Sequence, residues 1–230
     1  MSDPRIGLVG EGETDRIIIE AALRAILGTS ILVNRLQPEP TPAMLGTGWS
    51  GVLKWCDAAG ARHPGAIDTD PTLPDFDLLI IHLDVDVALE NYANAGNAVV
   101  ARALNKPFGV LPCAQPCPPV DISCASLLAV LTTWLAPATV GAKTVLCLPA
   151  QSSGTWLAAA TLPVGHALLA NVECNPNVEA NLGTLAKALK IKKQVTSYRA
   201  HASLVTKNWD TVKALCTQAV EFENAVLSAI

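Results

Sequence analysis

Apolar positions along the chain fall into two kinds of pattern. Short unbroken runs at residues 5–10 (RIGLVG), 31–36, 78–83 and 144–148 have the length and branched content of buried strands. Between them the spacing changes. Residues 14–27 repeat apolar side chains at Ile17, Ile18, Ala21, Ala22, Ala25 and Ile26, which is helical spacing, and Gly28 supplies the stop. Helices are also predicted over residues 48–59, 90–104 and 124–136. Beyond Ser152 the pattern is mainly helical, including residues 178–189 and 209–230. A proline-rich link (Pro38, Pro40, Pro42), a Gly/Pro/Asp loop at 60–74 and an irregular stretch at 107–119 separate these elements.

Strands that alternate with helices build a parallel sheet covered on both faces, so the pattern predicts an α/β fold of Rossmann-like type flanked by helices, with a mainly helical C-terminal part. The expected division is an α/β unit over residues 1–150 and a helical extension over residues 151–230. No internal repeat or low-complexity tail interrupts it.

Composition narrows the function. Half of the 230 residues are apolar, which excludes a disordered chain, and a net charge of -4 excludes a general DNA-coating protein. Only 16% of the residues are charged, against roughly 25% in an average soluble domain. Those charges are unevenly placed: residues 1–90 carry fourteen acids and six bases, residues 107–172 only Asp121 and Lys143, and residues 187–213 seven bases and one acid. The charge-poor middle raises the question of a membrane span. Its best helical stretch stops at Pro137, short of the roughly 20 residues a span needs, so a core, or a docking or homodimer face, is expected there. The first residues lead into a strand with no basic region or long apolar segment before it, and seven cysteines are an odd count. Both fit a cytoplasmic protein with reduced thiols. Cys113, Cys117 and Cys124 lack the paired spacing of a zinc site and read as loop cysteines.

Two acidic segments carry the candidate chemistry. Val9-Gly10-Glu11-Gly12-Glu13-Thr14-Asp15 lies at the carboxyl end of the first strand, and His82-Leu83-Asp84-Val85-Asp86 at the carboxyl end of the third. Ligands of open α/β sheets bind outside those strand ends, so both segments are expected in one crevice. Asp84 and Asp86, two apart, share a side in extended chain. With Glu11 they form a set of hard oxygen donors suited to Mg²⁺ or Mn²⁺, to which Asp15 adds a ligand or orients a water. A glycine-loop nucleotide site is the competitor, but Asp15 stands where a third glycine belongs, and Glu11 and Glu13 would face the phosphates. There is no P-loop lysine.

The G-E-G-E-T-D segment followed by L-D-V-D resembles the TOPRIM domain of topoisomerases, primases and the overcoming-lysogenization-defect nucleases, over roughly residues 5–150. The E-G-x-T-D form, with its aspartate at Asp15, is closer to the last of these. The resemblance implies divalent metal held by Glu11, Asp84 and Asp86, and hydrolysis of phosphodiester bonds in DNA or RNA, with DNA ahead of RNA. It also implies an effector of antiviral or anti-plasmid defence working with a separately encoded ATPase, since this chain has no ATPase motif. Small members carry a glutamate shortly before a tryptophan after the fourth strand; here Gly154 stands two residues before Trp156. That departure leaves open a catalytically inactive subunit that binds a partner or nucleic acid.

Other residues have structural alternatives. Glu13 reads best as a first-turn acid complementing the helix dipole, a role Asp15 would also fit. His82 reads as a packed or hydrogen-bonded histidine. The basic cluster Lys187, Lys190, Lys192, Lys193 and Arg199 is expected to hold a nucleic-acid backbone, with one of Lys190, Lys192 or Lys193 stabilising the transition state. Its alternative is a solvated helix end. The five tryptophans are scattered and read as core or interface.

Overall fold

A computed structural model describes residues 3–39 and 45–230; Pro40 and Pro42 of the predicted link lie outside them. Four strands, β1 (Arg5–Val9), β2 (Leu32–Gln37), β3 (Leu78–His82) and β4 (Thr144–Cys147), form one parallel sheet in the order β2-β1-β3-β4. This is the α/β, Rossmann-like arrangement that the alternation predicts. All five residues of β3 are buried, as a central strand covered on both faces requires. Edge strand β2 is more exposed.

Strand order places the functional crevice. The chain runs from β1 outward to β2, then crosses back to β3 on the other side of β1, so the connections diverge between β1 and β3. The carboxyl ends of those two strands flank the cleft that such a switch leaves open.

Helices cover the two faces. On one, α1 (Glu13–Leu27) packs with α5 (Ser153–Thr161), α6 (Val178–Leu182), α7 (Val195–Lys207), α8 (Trp209–Leu215) and α9 (Thr217–Ala229) in a core centred on Ile18, Trp156 and Trp209. On the other, α2 (Gly48–Arg62) and α4 (Asp121–Leu135) enclose Leu53, Leu131 and Trp134. Between them in sequence, α3 (Asn97–Asn105) buries only Val99. Helix α1 ends as predicted: Gly28 takes a left-handed conformation at φ 62° and its amide bonds Arg24 O, a geometry that costs glycine nothing.

Several expectations change in detail. The helix predicted from residue 90 begins at Asn97, because Gly96 adopts φ 96° and two 3-10 turns (Val85–Leu89 and Tyr92–Ala95) precede it. The helix predicted over 178–189 stops at Leu182, before Gly183. The last helix divides at Cys216, which is extended, into α8 and α9. Much of the charge-poor middle is interior: all of α5 up to Ala160 is buried, and α4 turns Leu127, Leu131 and Trp134 inward while Ile122 and Leu128 are exposed. The expectation of seven free thiols is corrected, since Cys117 and Cys174 form a disulfide, their Cα atoms 5.5 Å apart and thus within bridging range. The other five cysteines are free. No helix among the described residues is long and apolar enough to cross a membrane.

Candidate metal centre

Each acidic residue is positioned by the backbone that follows its strand. After β1 the chain leaves the sheet at Gly10, whose amide bonds Gln37 O, and Glu11 O accepts from Gly48 N. After β3 the chain does not continue extended. Leu83 N, Val85 N and Asp86 N bond Cys147 O, Pro149 O and Gln151 O in turn, so the segment after β4 clamps it. Gln151 achieves this with φ 60°, a left-handed conformation uncommon for a side-chain-bearing residue. The clamp folds Asp84–Val85–Asp86 into the start of a 3-10 turn, which corrects the expectation that the two aspartates face one side of an extended strand. Asp84 is buried; Asp86 reaches solvent.

The crevice gathers Glu11, His82 and Asp84. Glu11 Oε1 accepts the amide of Asp84 at 2.8 Å across 73 residues of sequence, and His82 Nε2 lies 3.0 Å from Asp84 Oδ1. One ligand atom from each of the three lies within 4.8 Å of the others, close enough for a single cation. The first amide of α5, Ser153 N, donates to Asp84 Oδ1 at 3.0 Å, and Ser153 Oγ donates to Asp15 Oδ1 at 2.8 Å. Asp15, on the first turn of α1, is thereby buried beside the same cluster.

These acids lack enough positive charge. Burial, then the neighbouring Asp84, pushes the Glu11 carboxyl well above its ordinary value. Burial, then Asp15 and Asp86, does the same to Asp84. Loss of solvation around its carboxyl pushes Asp86 up to about 6, with Lys193 opposing and Glu179 reinforcing the shift. Perturbed carboxylates gathered in a cleft mark functional sites more often than structural ones. A divalent cation fits this donor set: Glu11 and Asp84 supply hard oxygens, and His82 an imidazole whose buried Nδ1 has no hydrogen-bond partner, with Asp15 buried close by.

The expected basic cluster does not act as one unit. Lys187, Lys190 and Lys192 are exposed between α6 and α7 and form no ion pair with the site. Lys193 is exposed as well, but its Nζ bonds Glu179 Oε2 at 2.5 Å. Burial would lower its ammonium, but Glu179, Asp15 and Asp84 outweigh this and raise it. Arg199 bonds Glu13 Oε1 at 2.9 Å.

Sequence reasoning missed Glu179. Its Oε1 accepts from the Tyr198 hydroxyl at 2.6 Å, and its Cγ passes 2.2 Å from where a Cβ on Gly154 would stand. Gly154 is glycine because a carboxylate from α6 occupies the space its side chain would fill. Beside Gly154, the position at which the sequence resemblance implied a glutamate, stands the side chain of Glu179. The Gly–Trp spacing alone offered no sign of a donor 25 residues downstream.

Glu13 was also read too narrowly. It does lie in the first turn of α1, but three arginines also converge on it, Arg16 at 2.7 and 3.0 Å, Arg35 at 3.1 Å and Arg199 at 2.9 Å. They hold its carboxyl down at about 2.

Fold and site together define an α/β protein with a metal-capable acidic crevice at the switch point of a parallel sheet. No protein-family model, curated protein or solved structure matches the chain.

Proposed function

We propose that the chain is a divalent-metal-dependent phosphodiesterase of TOPRIM type that cleaves nucleic acid, DNA before RNA, as the effector of a defence system with a separately encoded ATPase. The observation that carries the reading is the meeting of Glu11 and Asp84, 73 residues apart, in a buried set of mutually repelling acids at the carboxyl ends of β1 and β3. A fold does not concentrate uncompensated carboxylates in its interior without cost, because burying an unpaired charge is strongly unfavourable. A bound Mg²⁺ or Mn²⁺ removes that cost and supplies Lewis-acid polarisation of a phosphate together with a nucleophilic water.

The chain's own groups then have separable roles. Glu11 and Asp84 hold the cation, with His82 and Asp15 beside them. Asp86, at the rim and near neutral in its titration, is placed to accept a proton from an attacking water. Lys193 is the residue of the three lysines that fits transition-state stabilisation, since its ammonium interacts with Asp15, Asp84 and Asp86. Glu179 and Tyr198 fix its position. The ATPase partner rests on the resemblance of the motifs.

Supercoiled plasmid incubated with purified protein and Mn²⁺ or Mg²⁺ tests the reading. Cleavage that falls at least about a hundredfold in Glu11→Gln and Asp84→Asn supports it. Absence of cleavage with either metal, with and without a co-purified ATPase, sinks it.

A further inference from the structure

Outside the acidic crevice, a groove runs along the opposite side of the Glu13 junction. Helices α1 and α7 lie side by side in the same direction: Arg199 reaches Glu13 near their first turns, and Thr206 Oγ1 donates to Ala21 O at 2.8 Å further along. The groove between them has a volume of about 640 Å³, and its charged lining is Arg16, Arg24, Arg199 and Lys207 against Glu20 alone. Four cations face one carboxylate there, in a chain whose net charge is -4.

The cations are arranged rather than scattered. Arg16 and Arg24 are eight residues apart on α1, and Arg199 and Lys207 eight apart on α7, so each pair is separated by about 12 Å of helix. Glu20 sits between the α1 pair, bonding Arg16 Nη1 at 2.7 Å and Arg24 Nη2 at 2.8 Å, which holds both guanidiniums over the groove; Arg24 keeps most of its donors unused, whereas Glu13 also engages Arg16 Nε and Nη2 and leaves it two N–H groups. Lys207 is exposed and has no ion-pair partner among the described residues. At the other end, Arg35 joins Arg16 and Arg199 around Glu13, two residues beyond Glu11. A row of fixed cations therefore leads up to the acidic crevice without entering it.

We propose that the groove between α1 and α7 is the track for a nucleic-acid backbone, its phosphates held by Arg16 and Arg199 at the crevice end and by Arg24 and Lys207 at the far end. Guanidinium groups bind phosphate oxygens in forked pairs, and the 12 Å between the two ends corresponds to about three or four nucleotide steps of about 3.4 Å. The polymer, as opposed to the affinity for phosphate, rests on the reading given under the proposed function. The track explains why the exposed lysines at 187, 190 and 192 are not needed as its floor, and it brings a strand past Glu13 to the acids.

Binding is measured apart from cleavage, by fluorescence anisotropy of labelled 20-mers (single-stranded DNA, duplex DNA and RNA) in EDTA. The wild-type chain is expected to bind with a strongly salt-dependent constant. Arg24→Glu combined with Lys207→Glu is expected to weaken binding at least tenfold and to flatten the salt slope by about 2, one unit for each lost phosphate contact. Lys207→Glu alone, which breaks no ion pair and so leaves the fold intact, shows about half that change. An unaltered slope in both groove variants, or no binding of any 20-mer by the wild type, overturns the track. If binding and its loss follow this pattern while no metal supports cleavage, the track stands and the nuclease reading falls; cleavage with unaltered groove variants gives the reverse.

Discussion

Glu11 and Glu13 lie two residues apart on either side of one strand-to-helix junction, yet their carboxyls move in opposite directions. Glu11 is raised by burial and by Asp84 and Asp15. Glu13 is lowered to about 2, held by Arg16 first and then by Arg199 and Arg35. The difference is one of company. Glu11 turns into the switch-point crevice, where every close charge but Lys193 and His82 is an acid. Glu13 turns out to the face where α1, β2 and α7 each contribute an arginine. A single turn of chain thus separates a region short of cations from one with a surplus, and the two complement the parts of one ligand: an exogenous cation for the first, an anionic backbone for the second.

The comparison breaks most visibly if the acids are neutralised. Asp84→Asn and Glu11→Gln are each expected to abolish metal-dependent cleavage and also the thermal stabilisation by Mn²⁺, which at a hundredfold excess over Kd amounts to about 2.7 kcal/mol in the wild type. Without metal the same variants are expected to melt at or above the wild-type temperature, because each removes a repulsion. Melting curves with and without Mn²⁺ check both halves, and a metal-free loss of several degrees would show that the acids serve the fold. Gly154→Ala should come next in size. Its methyl would displace Glu179 and release Lys193 and Tyr198, at a cost of about 1–3 kcal/mol by the usual range for overpacking. The loss of cleavage should exceed what the stability change explains, as read by kcat at a temperature where the variant is folded.

How far these regions could be read from sequence follows from what kind of contact makes them. The crevice was legible because strand runs and the acids ending them are local patterns, and because an alternating α/β chain has few places to put its strand ends; Glu11 and Asp84 meet as that logic expects, while Asp86, expected with them, is exposed outside the cluster. The relation of Asp84 to Asp86 was not, since it depends on carbonyls of Pro149 and Gln151 clamping the turn. The arginine surplus was invisible for the same reason. Arg35 and Arg199 are 164 residues apart, each an ordinary surface cation until β2 and α7 settle beside α1. The lysine run, conspicuous in sequence, lies exposed between α6 and α7, and Lys193 is set apart in it by its bond to Glu179. Cys117 and Cys174, 57 residues apart, likewise pair through the fold rather than through any spacing.

Removing the other carboxylate tests the cation-rich side. Glu13→Ala leaves Arg16, Arg35 and Arg199 facing one another. Charge-assisted bonds of this kind are worth about 1.5–3 kcal/mol when protected, and solvent reaches Glu13, so a loss of about 1–2 kcal/mol in denaturant unfolding is expected. Nucleic-acid binding should tighten at the same time, since the freed guanidiniums gain phosphate as their partner; weaker binding at equal folding would mean that Glu13 positions them.

The smallest effect is the most direct measure of the contrast, because pH acts on both carboxylates in one chain. A carboxyl raised in the folded state, such as Asp86 at about 6, holds its proton where the unfolded chain has lost it. Its contribution is complete below the ordinary carboxylate range, near 4, and is lost as pH rises through about 6. Glu11 and Asp84 act in the same direction. Glu13, lowered to about 2, contributes above about 4.5 and loses that contribution as pH falls toward 2. Metal-free protein should therefore be most stable near pH 4.5–5 and lose of order 1 kcal/mol from there to pH 7, with the exposed Asp86 discounted for solvent. Mn²⁺ at pH 7 should cancel that decline, because it selects the ionised acids, while leaving the acid limb governed by Glu13 in place. Glu13→Ala should flatten the acid limb alone, and Asp84→Asn the neutral limb alone. If one substitution flattens both limbs, the two carboxylate environments are coupled and the separation drawn between them fails.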